Sequence, residues 1–180
     1  MSLRPGRAAV ALAALTALLM ASGCGSGDGD SPIINEDASV VDIEQLPDID
    51  ATTTQMLDLI EQVRQEVTRL VPATDPWEWT RDQQGFSCVQ EKTGSKGVGR
   101  DLRNLVSQYA FSDAEWDQVF PAVRELAAQS GLKTVAAPQD SVGNHDARFS
   151  SDDGRTLVFG SRKATVVTGK IACRLSGGGS

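Results

Sequence analysis

The sequence predicts an α+β domain: two helices packed on one face of a mainly antiparallel sheet, stapled by one disulfide. Three patterns carry that expectation. Met56, Ile60, Val63, Val67 and Leu70 recur at helical spacing, with Glu61, Arg64, Gln65 and Arg69 on the opposite side. A second apolar set, Trp116, Val119, Phe120, Val123, Leu126 and Ala127, follows a capping signal at Ser112 and Glu115. The last stretch alternates strictly, with Val167, Gly169, Ile171, Cys173 and Leu175 set against Thr168, Lys170, Ala172 and Arg174, as a half-buried strand does.

Ahead of the domain stands a leader. Arg4 and Arg7 make a positive start, and Ala8 to Met20 is an uncharged run rich in Ala and Leu. The run is shorter than the roughly 20 apolar residues needed to span a bilayer, which favours a cleaved signal peptide over residues 1–23 rather than an uncleaved anchor helix. Ala21-Ser22-Gly23-Cys24 then resembles a bacterial lipobox, although Ala21 stands where Leu is commoner. In that reading the Cys24 thiol carries the lipid and becomes the new N-terminus, holding the protein on the extracytoplasmic face of the plasma membrane. Each buried methylene contributes about 0.8 kcal/mol, so two or more acyl chains hold firmly where one does not.

Charge divides the chain in the same way. Residues 24–50 hold eight acidic residues and no basic one, starting G-S-G-D-G-D-S-P, and read as an acidic flexible tether with a coil dimension of about 30 Å. Within it, Val40, Val41, Ile43 and Leu46 form a short apolar cluster able to dock as an extended arm. Residues 51–180 keep sixteen of the 24 acids and fifteen of the 17 bases, so the single folded domain is near neutral. It lacks the concentrated basic face that nucleic-acid binding needs.

Taken in order, Thr52 with Gln55 reads as the cap of the first helix, and Pro72 stops it. Pro76-Trp77-Glu78-Trp79 follows, and then a short strand whose Phe86 and Cys88 share one face, expected to be the core face. Residues 92–99, K-T-G-S-K-G-V-G, read as a mobile connection. Leu102, Leu105, Val106 and Tyr109 fit helix or strand, with strand the preferred reading. The second helix ends near Gly131, and Pro121 inside it predicts a kink or a late start. Strands are expected over residues 133–137, 145–150 and 156–160, with a turn at Asp153-Gly154, and the chain ends in a disordered tail from about residue 176.

With Cys24 assigned to lipid, Cys88 and Cys173 remain as a pair in an oxidising compartment and are expected to form a disulfide facing the core, with two free thiols as the alternative. The long loop between them predicts roughly 4–5 kcal/mol of stabilisation by chain entropy. No cofactor is expected. Metal binding is not expected either, because His145 is the one histidine and no paired ligand spacing exists. Lys92, Ser95, Lys96 and Arg100 among the glycines could cradle an anion, yet without Walker or dinucleotide spacing. Trp77, Trp79 and Lys96 are the candidate ligand-facing residues. Lys92-Thr93-Gly94 and Ser130-x-x-Lys133 imitate penicillin-binding-protein motifs in reversed order and without the middle motif, so no such site is expected. His145 beside Asp146 is the one candidate imidazole base, but no serine on a strained turn accompanies it, and no catalytic residue is assigned.

The lipobox, Pro76-Trp77-Glu78-Trp79, Ser112-Asp113-Ala114-Glu115-Trp116, Gly143-Asn144-His145-Asp146 and Cys173-Arg174-Leu175, in that order, resemble the mycobacterial LppA/LppV-type lipoproteins. The resemblance spans most of residues 1–175 and implies an actinobacterial cell-envelope lipoprotein; it brings no activity with it. The expected function is a membrane-anchored, non-enzymatic domain that binds an envelope partner, protein or lipid, or another ligand. A carrier of lipid or glycolipid in an apolar cavity is the alternative, and an enzyme built on His145 is a third.

Overall fold

In the computed structural model, residues 41–90 and 93–178 are described. The signal peptide, Cys24, most of the tether, Lys92 and the last two residues of the tail lie outside them. The folded part starts earlier than residue 51. Ile43 is buried in a short 3-10 turn, Ile43–Gln45. The Gln90 amide holds this turn by accepting from the Ile43 N–H and donating to the Val41 carbonyl.

Helix α1 spans Ile49–Leu70 and is capped by Asp48, which accepts from the N–H groups of Asp50 and Ala51. Thr52 is therefore not the cap. Its hydroxyl, like those of Thr53 and Thr54, donates back to a carbonyl four residues earlier within the helix. The helix stops at Val71, and Pro72 opens a 3-10 turn, Pro72–Thr74.

A long hairpin follows, interrupted once. Its outgoing arm is β1 (Trp77–Thr80) and β2 (Gln84–Val89), and its returning arm is β3 (Lys96–Asp101) and β4 (Asn104–Ser107). Trp77 pairs with Ser107 at one end and Val89 with Lys96 at the other. Three residues on the outgoing arm face two on the return, so the register slips by one at the break. The glycine-rich stretch is thus not a mobile connection. Gly94 at φ 72° turns the chain, and Lys96 to Gly99 are part of β3.

Helix α2, Asp113–Gln129, begins at the Ser112 capping box and runs through Pro121 without a late start. Strands β5 (Thr134–Ser141), β6 (Asn144–Ser150), β7 (Arg155–Ser161) and β8 (Thr165–Arg174) then meander antiparallel. β8 closes the sheet by taking β4 along its first residues and β3 along its last.

Both helices cover one face. A Cβ added at Gly169 would sit 3.0 Å from the Met56 methyl, which shows how closely α1 lies on β8. α2 lies over β6 and β7, where Trp116 stacks on Phe159 and Phe120 on Phe149. No helix among the described residues is long and apolar enough to cross a membrane.

Cys88 and Cys173 form the expected disulfide, but not on the expected face. Val98 packs on the core and Arg100 reaches Thr53 and Asp50 on α1, so Gly97 and Gly99 between them look outward. Cys88 and Phe86, opposite these glycines, look outward with them, and Phe86 is 38% exposed. In β8 a bulge opposite Gly99 breaks the alternation, bringing Arg174 inside at 1% exposure and Cys173 out. The bridge passes over Gly97, where a Cβ would come 2.9 Å from Cys173 Sγ and 2.3 Å from the Arg174 carbonyl oxygen.

The disulfide spans 85 residues, and it joins the hairpin to the closing strand. Replacing Cys88 and Cys173 together by Ser should therefore lower the unfolding free energy by about 4 kcal/mol, read as an earlier urea midpoint. An unchanged midpoint would mean that the bridge constrains nothing in the unfolded chain.

Candidate functional site

Of the five segments that carry the family resemblance, four lie among the described residues, and two of these meet. The tight turn Val142-Gly143, with Gly143 at φ 66°, pairs Ser141 with Asn144 and so places Asp140 directly across from His145. Ser112 caps α2, which leaves Asp113 at its first position and facing the same turn. His145 Nδ1 lies 2.9 Å from Asp140 Oδ1, and Nε2 lies 2.9 Å from Asp113 Oδ1. The Asp113 oxygen also accepts the Gly143 N–H at 2.8 Å.

The imidazole is 7% exposed and lies flat on Trp116, with centroids 4.7 Å apart and planes 9° apart. The other face of the aromatic cluster continues through Phe159, Phe120 and Phe111. Burial alone pulls the histidine pKa down. Hydrogen bonds and charge from Asp140 and Asp113 outweigh it and hold the group above the ordinary value. The Gly143 N–H, and then the imidazole, hold the Asp113 carboxyl below its usual range. A carboxylate at the first position of a helix is also favoured by the helix dipole.

This arrangement uses both ring nitrogens. Ser161 pairs with His145 across the strands, but its hydroxyl accepts the Phe111 N–H and stands next to Thr165. Among the described residues the imidazole therefore has no hydroxyl to activate, and no acyl-transfer triad is assembled around it. Asp146, the neighbour in sequence, lies on the other face of β6 opposite Gly160, where its Oδ1 is buried without a hydrogen-bond partner. Among the described residues no group of His, Cys, Asp or Glu is placed to hold a metal ion.

The residues expected to face a ligand do not converge. Trp77 is half-buried against the core and donates from Nε1 to Thr68 of α1 at 3.0 Å. Trp79 is more open, with the Arg103 guanidinium 4.3 Å above its ring. Lys96 is exposed at the far end of the hairpin. Arg174 was expected on the open face, but it enters the core. It donates to the Asp153 carbonyl at 2.7 Å, and burial lowers its pKa against the opposing pull of the Asp153 charge. Burial raises the Asp153 carboxyl, but bonds from Ser151 and Arg155 bring it below the usual range.

Two shallow concavities of about 260 Å³ each open at the His145 end of the sheet. One is lined by His145, Asp146, Val158, Gly160, Arg162 and Val166. The other is lined by Asp75, Pro76, Glu78, Val106 and Tyr109. One lining residue of each, Val106 and Val166, form a cross-strand pair. The pairing of Asp140 with His145 was readable from the two-residue turn; the approach of Asp113, 32 residues away in sequence, had no local signal.

A family model described as LppA, a lipoprotein confined to pathogenic Mycobacterium, matches residues 37–177. The structure of a DUF4853 family protein from Actinomyces odontolyticus is similar at 12% identity and a TM-score of 0.50, over 77% of this chain and 75% of that one. At that identity the likeness concerns the fold. The structure of LppA from Mycobacterium tuberculosis aligns at 16% identity and a TM-score of 0.49, over 69% of this chain and 78% of that one. No curated protein matches the chain.

Trp116 supports the imidazole on one side and Phe159 on the other, at 6% exposure. Trp116→Ala should cost about 3–5 kcal/mol in urea unfolding. A loss below about 1 kcal/mol would show that the ring stack is not part of the folded core.

Proposed function

Because the chain belongs to the LppA family of lipoproteins, we propose that it is a lipid-anchored envelope protein whose domain works by binding a protein partner at its surface rather than by catalysis. The lipobox at Ala21-Ser22-Gly23-Cys24 supports the anchor, with Cys24 as the acylated residue and the extracytoplasmic face of the plasma membrane as the site. The chain enters the fold at Val41, beside the β2–β3 turn. The concavities lie at the other end of β8.

The observation that carries the binding reading is the location of open space. A carried lipid needs a large apolar cavity between helices and sheet. That interface is filled by Met56, Leu59, Val63, Leu102, Phe149 and Ile171, all 2% exposed or less. The concavities described above are on the surface and, at about 260 Å³ each, are small for an acyl chain. The pairing of His145 adds a second support, since both nitrogens of the one imidazole are taken up by carboxylates of the protein itself.

Three measurements test this. Full-length protein made with its leader should incorporate labelled acyl chains and sediment with membranes, and Cys24→Ala should lose both. A photo-crosslinking residue placed at Glu78 or Val106 should give a discrete protein adduct in envelope preparations. Native mass spectrometry should find the purified domain free of lipid. A stoichiometric co-purified lipid would replace this reading with the carrier one, and repeated absence of any adduct would remove the surface-binding claim.

A further inference from the structure

We propose that His145 is a proton-operated latch tying the β5–β6 hairpin to the start of α2. The geometry demands two donors. Each ring nitrogen lies 2.9 Å from a carboxylate oxygen, and a carboxylate only accepts. An imidazolium satisfies both contacts; a neutral ring keeps one N–H and turns a lone pair toward the other oxygen.

Which contact fails is set by what else holds each acid. Asp113 keeps the Gly143 N–H and its place at the helix N-terminus. Asp140 makes its one side-chain hydrogen bond to His145 and is otherwise open to water. Asp140 is therefore the partner released. It sits on an edge strand whose eight side chains are all exposed, past a register break at Pro138. The end of β5, Gln139–Ser141, then depends on its pairing with Asn144–Asp146 alone.

The other charges around the ring do not substitute. Asp146 lines the opposite face of β6, Arg162 stands at the rim of the same concavity, and Glu115 is taken by Ser112 and Tyr109. The sign follows from the raised histidine pKa. The latch contributes fully below the ordinary value of 6.5 and is lost as pH rises through the higher folded value. The hairpin end is thus tied in mildly acidic surroundings and freed in mildly alkaline ones.

Hydrogen exchange of the amides from residue 139 to residue 144, expressed as protection factors between pH 5.5 and 8.5, reads the latch directly. Protection should fall on the order of ten-fold across the range while the amides of β8 stay protected. Asp140→Asn should abolish the pH dependence and lower the imidazole pKa seen by NMR titration, and His145→Gln should give flat, low protection. The proposal is overturned by wild-type protection that does not change with pH, by an imidazole titrating at or below 6.5, or by loss of protection in β8 together with the hairpin.

Discussion

Burial of the inner side of β8 is the constraint on which the rest of the molecule depends. Thr165, Val167, Gly169 and Ile171 face the helices, and each is fully covered or nearly so. Because β8 pairs with β7 on one edge and with β3 and β4 on the other, this single strand joins the early hairpin to the late meander. Gly169 makes the joint tight, since a Cβ there would come 3.0 Å from Met56 and 3.1 Å from Leu102, inside van der Waals contact. At its end the strand bulges, and the bulge decides two further things: Arg174 goes inside to Asp153, and Cys173 goes outside to Cys88. A buried guanidinium is tolerated there because a carbonyl and a carboxylate receive it.

The parts of this fold that follow a period were legible in the sequence. Helix α1 showed its face through Met56, Ile60, Val63 and Val67, and α2 showed both its face and its capping box. The meander showed itself by alternation and by turn residues. What was not legible depends on neighbours in space. The start of α1 at Ile49 was hidden because three consecutive threonines look like capping residues, yet inside the helix their hydroxyls bond back to carbonyls. The facing of Cys88 and Cys173 was hidden because the bulge arises from pairing with β3, where Gly97 and Gly99 leave room for the bridge and the Phe86 ring. Alternation extended through Cys173 points the wrong way by one residue.

The candidate site shows the same division. Two short segments, Ser112–Trp116 and Gly143–Asp146, carried part of the resemblance to a lipoprotein family, and the structure brings them together around one imidazole. Their convergence fastens an edge hairpin to a helix start and seals the aromatic cluster. The hydrogen-bonding capacity of His145 is spent within the protein. On the outer surface, Val106 of one concavity pairs across the strands with Val166 of the other. The tryptophans and the lysine expected to meet a ligand belong instead to the packing of α1, a stack with Arg103 and the far hairpin end.

Two carboxylates hold both ring nitrogens of His145 at once. Nitrogen-15 NMR of the imidazole in the folded domain at pH 6 tests this most directly. Both ring nitrogens should carry protons, with both N–H signals visible and slowed in exchange with water. A folded protein at that pH with one ring nitrogen unprotonated and open to solvent would contradict the account, and would return His145 to the list of groups able to act on a substrate.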